Sequence, residues 1–307
     1  MKKALERHES GESRVIPVIL RPVDCEDAPF SKLQFLPADG KPVTSWPNHD
    51  EAFFDIARGI RKAVYELLTE QCLDNGDELY KFERYEEALI AYERAIHFDP
   101  SSGRAYISKG KILYTFRKFG EALAACEKAI SLDSNSASMY SIKGNILVEL
   151  GQYKDAVTAY EQSTQLDPKS EFTYSSKGNI QMLLERFEEA LTTYEQATKV
   201  ATYVRFDAYQ GKGDALYKLE RYKEALAAYE QAISLKANYS SAYKGRGDTY
   251  YKLEQFNEAL AAYEQAISLD SFSAGAYRGK GNTFQRLASK AFEEADLLDN
   301  RNTKSLR

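Results

Sequence analysis

A glycine recurs along most of the chain at a fixed interval. Gly76, Gly110, Gly144, Gly178, Gly213, Gly247 and Gly281 stand 34 residues apart, with 35 between Gly178 and Gly213. A period of that length implies a stack of like supersecondary units, each unable to bury its apolar face alone. Other columns keep the same register. Four residues before the glycine stand Tyr106, Tyr140, Tyr174, Tyr209, Tyr243 and Tyr277, with Cys72 in the first unit. Nine residues after it come Tyr85, Phe119, Tyr153, Phe187, Tyr222 and Phe256, and twelve after it Ala88, Ala122, Ala156, Ala190, Ala225 and Ala259. Sixteen after it lies a further aromatic column, Tyr92, Tyr160, Tyr194, Tyr229 and Tyr263, interrupted once by Cys126.

The columns are helical. In stretches such as "EALAAYEQAISLD" the apolar residues recur at steps of three and four, which lays one stripe along one face. A glycine inside a helix costs up to ~1 kcal/mol against alanine, so something must need the missing side chain. The expected reason is close approach of the two helices of a unit, with the alanine column as the matching small surface. Short charged segments ("FERY", "YKDA", "RYKEA") read as the turns within units. Asp99-Pro100, Asp133-Ser134, Asp167-Pro168 and Asp270-Ser271 close most units. The aromatic columns read as packing between helices, with hydroxyls left to reach water or a polar partner.

These residues resemble the tetratricopeptide repeat (TPR) family over roughly residues 69–300. The resemblance implies a mostly α protein: a right-handed solenoid of six to seven helix pairs. The units fall near 69–102, 103–136, 137–170, 171–205, 206–239, 240–273 and a partial cap at 274–300, followed by a tail at 301–307. Two departures stand out. Lys109, Lys143, Lys177, Lys212, Arg246 and Lys280 precede most of the glycines where the family often has leucine, and their stems are expected to snorkel. The seventh unit lacks several residues between Gly281 and "AFEEADLLD", so a short second helix is expected there. The junction "TKVATYVRFDAY" (198–209) carries the extra residue and is apolar at Val200, Tyr203, Val204 and Phe206, which fits a kink or a self-association patch.

In such a solenoid the concave side is lined by the first helix of each unit, and there the columns vary. The expected partner-binding residues are Tyr80, Lys111, Tyr114, Asn145, Asn179, Asp214, Tyr217, Asp248, Tyr251, Arg278 and Asn282. This face reads as a groove for a protein or peptide, with aromatics as anchors and Asn or Asp as backbone hydrogen-bonders. The family's chaperone-tail clamp is matched by Arg278 and Asn282 alone, so no chaperone tail is expected.

Residues 1–68 have no kinship with the repeat. Val15 to Leu20 reads as a buried strand, "KPVTSW" as a second, and "NHDEAFFDIARGIRKAVYELL" as an amphipathic helix capped by Asn48 or Asp50. Met1 to Ser10 reads as the end of another helix. The segments "ALERHESGESRVIPVILRPVD", "APFSKLQFLPADGKPVTSW" and "DEAFFDIARGIRKAV" resemble the C-terminal half of bacterial TIR (Toll/interleukin-1 receptor) domains, which implies a partial α/β flavodoxin-like fragment. Some TIR domains cleave NAD. By the match their catalytic glutamate would fall just before Met1, and Glu6 lies on the wrong face to replace it. TIR–TIR or other self-association is a further expectation.

Composition narrows the function. A net charge of −5 supplies no basic face for nucleic acid. No apolar run approaches a membrane span. Cys25, Cys72 and Cys126 are scattered and fit a reducing cytoplasm, while His8, His49 and His97 show no metal-ligand spacing. No cofactor or metal is expected, and no catalytic constellation is visible. The expected function is an interaction scaffold, the sensor or assembly module of a TIR-type signalling or defence protein. The alternative is an NAD-hydrolysing TIR effector whose catalytic half lies upstream of Met1.

Overall fold

The computed structural model describes Ile16, Val18, Leu36, residues 42–200 and residues 206–305. Thirteen α-helices form among the described residues. They are α1 (His49–Lys81), α2 (Tyr85–Phe98), α3 (Gly103–Thr115), α4 (Phe119–Leu132), α5 (Ala137–Glu149), α6 (Tyr153–Leu166) and α7 (Glu171–Leu183), then α8 (Phe187–Val200), α9 (Phe206–Lys218), α10 (Tyr222–Leu235), α11 (Ser240–Lys252), α12 (Phe256–Leu269) and α13 (Ala274–Ser305). The chain divides into two compact units, Met1–Asp133 and Ser134–Arg307. In each, an odd-numbered helix pairs with the even-numbered one after it. Within Ser134–Arg307 the odd-numbered helices α7, α9, α11 and α13 also lie side by side. No described helix is long and apolar enough to cross a membrane.

Both kinds of connection follow from local chemistry. Inside each hairpin one residue takes the left-handed conformation: Glu83, Arg117, Gly151, Glu185, Glu220 and Glu254. Its backbone and the next residue's close the turn, as in Glu83 N to Tyr80 O (3.0 Å) and Arg84 N to Leu79 O (3.0 Å). Glycine suits this position, and five of the six turns manage without it. Between hairpins the aspartate that follows the helix accepts from the backbone two residues on. Asp99 takes Ser101 N at 2.9 Å, and Asp167 and Asp270 take Lys169 N and Phe272 N at 3.0 Å each. This turn, rather than proline alone, stops the second helix.

The glycine column has a reason other than the one expected. It faces the tyrosine sixteen residues on, not the alanines. A Cβ at Gly76, Gly144, Gly178, Gly213 or Gly247 would sit 2.5–2.8 Å from the ring of Tyr92, Tyr160, Tyr194, Tyr229 or Tyr263. Those rings are at most 2% exposed. Three rings also touch a second glycine on the following helix: Gly211 on Tyr194, Gly245 on Tyr229 and Gly279 on Tyr263. Where Cys126 replaces the tyrosine, the nearest atom to a Cβ at Gly110 would be its Sγ, at 3.1 Å, with Ala122 O and Ala125 Cβ at 3.6 and 3.7 Å. The alanine column is fully buried beside the rings.

The first part of the chain differs from its reading. "KPVTSW" is not a strand: Val43–Ser45 is a 3-10 turn, because Pro42 O accepts from both Ser45 N (2.9 Å) and Ser45 Oγ (2.7 Å). Val18 and Leu36 form one isolated parallel bridge, and Val18 is 37% exposed rather than buried on both faces. No longer strand forms among the described residues, so the expected α/β fragment does not appear there; the remainder of Val15–Leu20 and the Met1–Ser10 helix lie outside them. Asn48 caps α1 as expected, accepting from Asp50 N at 3.0 Å. The helix then runs unbroken through residues 68 and 69, where the TIR-like segment was expected to end. Leu36, Val43, Ala52 and Ile56 make a small core at its start, with Leu36 lying on Gly59.

The seventh unit also departs from expectation. No turn separates its halves, and α13 continues for 32 residues. The residues that form the left-handed turn elsewhere are absent, and "QRLASKAFEEA" offers mostly good helix formers and no glycine or proline in their place. The described ends of the 198–209 junction are simple. Phe206 packs edge-on to Tyr239 at 4.6 Å under Lys236, while Tyr203 and Val204 lie outside the described residues.

Candidate functional site

The varied first-helix columns carry an internal bond that the sequence reading missed. Each tyrosine in a glycine socket donates to the Asn or Asp beside that glycine. The pairs are Tyr92–Asp77 (2.7 Å), Tyr160–Asn145 (2.7 Å), Tyr194–Asn179 (2.6 Å), Tyr229–Asp214 (2.7 Å) and Tyr263–Asp248 (2.8 Å). Asn145, Asn179, Asp214 and Asp248 therefore each spend one oxygen holding a core ring before any partner arrives. The spacing of fifteen was visible in the sequence, and so was its exception: Lys111 stands in the acceptor column of the one unit in which Cys126 replaces the tyrosine.

The basic residues before the glycines do more than snorkel. Lys109, Lys177, Lys212 and Lys280 reach Glu93, Glu161, Glu195 and Glu264 of the preceding repeat at 2.8, 3.1, 3.1 and 2.8 Å. Arg246 instead lies over Tyr243, 4.9 Å from its centroid. These ladder-like pairs set neighbouring repeats in register; partly exposed pairs of this kind contribute ~0–1 kcal/mol each.

Within Met1–Asp133, Tyr80 packs on Tyr85 and Tyr114 on Phe119, with centroids 5.4 and 5.7 Å apart. Asp77 also accepts from Arg104, which lies 3.6 Å from Glu70 and 3.7 Å from Asp74. Burial works to raise the Asp77 carboxyl, but the hydrogen bonds from Tyr92 and Arg104 outweigh it and hold it below the usual range.

Within Ser134–Arg307, helices α9, α11 and α13 bring six of the expected residues together: Asp214, Tyr217, Asp248, Tyr251, Arg278 and Asn282. They line two adjoining recesses. One, of about 630 Å³, is walled by Met182, Gln210, Asp214, Tyr217, Lys244 and Asp248 among others. The other, of about 270 Å³, shares Tyr217, Lys244 and Asp248 and adds Tyr251, Lys252, Arg278 and Asn282. Tyr217 and Tyr251 each lean on a second-helix aromatic, Tyr222 and Phe256, at 5.8 Å. This fixes the rings and leaves their other faces on the recess wall. Asn145 and Asn179 line neither recess.

The charges are arranged unevenly. Lys244 Nζ bonds Asp248 Oδ2 at 2.6 Å, and Asp248 Oδ1 takes the Tyr263 hydroxyl, so that carboxylate is fully engaged. Burial pushes the Asp214 carboxyl up, although Tyr229, Gln210 and Lys244 favour its charged form; Asp248 adds to the rise. Lys252, at the end of α11, and Arg278 and Asn282 of α13 line the smaller recess, whose one acidic lining residue is Asp248, already engaged by Lys244 and Tyr263. The arrangement can hold a flat apolar side chain against the tyrosines and draw an acidic group toward α13. No group of metal-binding side chains occurs among the described residues.

Comparisons with known proteins agree with the repeat. The family described as "TPR repeat" matches residues 144–184, 213–254 and 247–287, and that described as "Tetratricopeptide repeat" matches residues 73–137 and 173–202. Among solved structures, the TPR protein YrrB is 24% identical, covering 62% of this chain and 98% of that one, with a TM-score of 0.56. PilF of Pseudomonas aeruginosa is 18% identical over 71% of this chain and 99% of that one, with a TM-score of 0.60. A tetratricopeptide repeat protein from Parabacteroides merdae is 19% identical over 75% and 90%, with a TM-score of 0.59. At these identities the likeness is one of fold. A 64-residue stretch is 56% identical to the uncharacterised protein y4lF of Sinorhizobium fredii; the match spans about a fifth of that relative's length, 20%, and 21% of this chain. On the repeat columns, the paired helices and these matches, the chain belongs to the tetratricopeptide repeat family.

Proposed function

We propose that the first-helix face of Ser134–Arg307 binds an extended segment of another protein. An apolar side chain of the segment lies against Tyr217 and Tyr251, and an acidic group reaches Lys252, Arg278 and Asn282. The observation that carries this reading is the pair of adjoining recesses, where two braced tyrosines stand beside Lys244, Lys252 and Arg278. The smaller recess has a single carboxylate, Asp248, already held by Lys244 and Tyr263. The solved structure of YrrB is described as having an unusual peptide-binding site, which supports the same use of a fold of this kind. Display selection with random peptides against the whole chain tests it, with Tyr217→Ala/Tyr251→Ala as the counter-screen. Acidic, apolar peptides that bind the native chain at least tenfold tighter support the reading; equal binding to both proteins overturns it.

The place of this module in a TIR-type signalling or defence protein rests on the resemblance in residues 1–68. Within this proposal the chain binds and does not catalyse. An assay of NAD consumption by the purified chain tests that part: turnover above the buffer rate would favour the NAD-hydrolysing alternative.

A further inference from the structure

In every complete unit that carries the tyrosine, a ring from the second helix fills the space over the repeat glycine. At Gly281 that space is empty: a Cβ there would meet nothing within 4 Å. The cause lies in the sequence. "AFEEADLLD" aligns with "AYEQAISLD", which sets Phe292 where Tyr263 stands in the preceding unit. The interval from glycine to aromatic, sixteen elsewhere, is eleven here. The five missing residues are those that make the turn, so Phe292 remains on the same straight helix as Gly281, about 16 Å along it. It cannot fold back into its own socket.

Knob and socket nevertheless share one face. Eleven residues at about 100° each leave Phe292 and Gly281 some 20° apart around the helix. Tyr277, Phe284, Ala288 and Ala295 complete that stripe, and all of it is exposed, with Tyr277 and Phe284 at 52% and Phe292 at 73%. In the inner repeats the positions equivalent to Phe284 are half-buried or buried, among them Leu113, Leu147 and Leu216 at no more than 3%. A continuous apolar face on an otherwise charged helix marks a contact surface.

We propose that this face is covered by a second copy of the chain, through antiparallel pairing of the two α13 helices. Each copy's Phe292 enters the other's Gly281 socket. Three features select a second copy over another partner. The face carries both halves of a contact that the repeats already make within themselves. A two-fold axis near Arg286 and Leu287 satisfies both sockets at once, as an isologous interface requires. The flank is self-complementary in charge: Arg278 and Asp296 lie on the same side of the stripe and meet each other's counterparts across that axis.

The test is the mass of the full chain in solution by light scattering or sedimentation. The expected native value in the micromolar range is twice the 34.8 kDa of one chain, falling to one chain in Phe292→Asp. Phe292 is exposed, so an unchanged helical circular-dichroism signal separates lost pairing from lost folding. A second measurement fixes the geometry. Tyr277→Cys with Ala295→Cys, in a chain with its native cysteines replaced by alanine, should give a disulfide-linked dimer on mild oxidation. The two positions lie about 27 Å apart on one helix and can only be joined between chains. A native chain of single mass, a Phe292→Asp dimer, or no cross-link would each overturn the proposal.

Discussion

Replacing Gly144 by alanine tests the packing rule of these repeats more sharply than any change to the recess. A Cβ at Gly144 would lie 2.5 Å from Tyr160 Cε1, 2.7 Å from Cδ1 and 2.9 Å from Cζ. Carbon atoms rest at about 3.5–4 Å, so ring and glycine must separate by about 1 Å. The ring has little freedom to move, because it is 2% exposed and its hydroxyl is held by Asn145 at 2.7 Å. Overpacking costs ~1–3 kcal/mol and loss of the Tyr160–Asn145 bond about 1 kcal/mol, against a helix-propensity gain of up to ~1 kcal/mol. The expected net destabilisation is about 1–3 kcal/mol. Gly110→Ala is the control: its Cβ would meet Cys126 Sγ at 3.1 Å and Ala122 O at 3.6 Å, a conflict of a few tenths of an ångström that the same propensity gain offsets. Urea unfolding followed by circular dichroism reads both variants. Equal stability in the two would refute the argument that the tyrosine ring is what excludes a side chain.

Other expectations follow from the same geometry. Asp214 has a raised folded pKa, so its unfolded form ionises first and its presence lowers stability as pH rises above ~4. Asp214→Asn, which copies Asn145 and Asn179, should therefore be more stable than the native chain at neutral pH, with the gain vanishing in acid; thermal melts across that range check it. Asp77 has the opposite sign: its contribution is present at neutral pH and lost on acidification, and Arg104→Ala should reduce that acid sensitivity. Glu83→Gly and Glu220→Gly relieve left-handed turns and should each add ~0.5–1 kcal/mol, while Gly151→Ala costs about 1 kcal/mol, all read by thermal unfolding. Peptides selected on the native chain should bind more weakly as salt is raised, and less steeply so in Arg278→Ala.

The hairpins were legible because their columns repeat. One interval of 34 residues sets glycine, tyrosine and alanine in fixed places on two helices, and propensity, turn chemistry and burial agree on the result. What the glycine faces was not legible, since Ala156 and Tyr160 are both apolar, lie on one helix and differ by only four residues. Only coordinates reveal that the ring, not the methyl group, fills the space. The acceptor role of Asn145 and its equivalents could have been read from their constant fifteen-residue offset and from the joint change at Lys111 and Cys126. In α13 the family pattern pointed toward a second short helix, whereas the local sequence lacks any residue to stop the first. "KPVTSW" shows the reverse: three strand-favouring residues, Val43, Thr44 and Trp46, were overruled by a hydrogen-bonded turn on Pro42. Six of the eleven expected binding residues do converge on the recesses of Ser134–Arg307, since first-helix positions three or four residues apart share a face in successive units.

Hydrogen exchange of the whole chain, with and without a peptide selected on it, tests the central claim most directly. The account predicts protection in α9, α11 and α13, centred on Tyr217, Lys244 and Tyr251, with α10 and α12 unchanged beyond their ends. Protection confined to the second helices, or spread evenly over all the repeats, would contradict it.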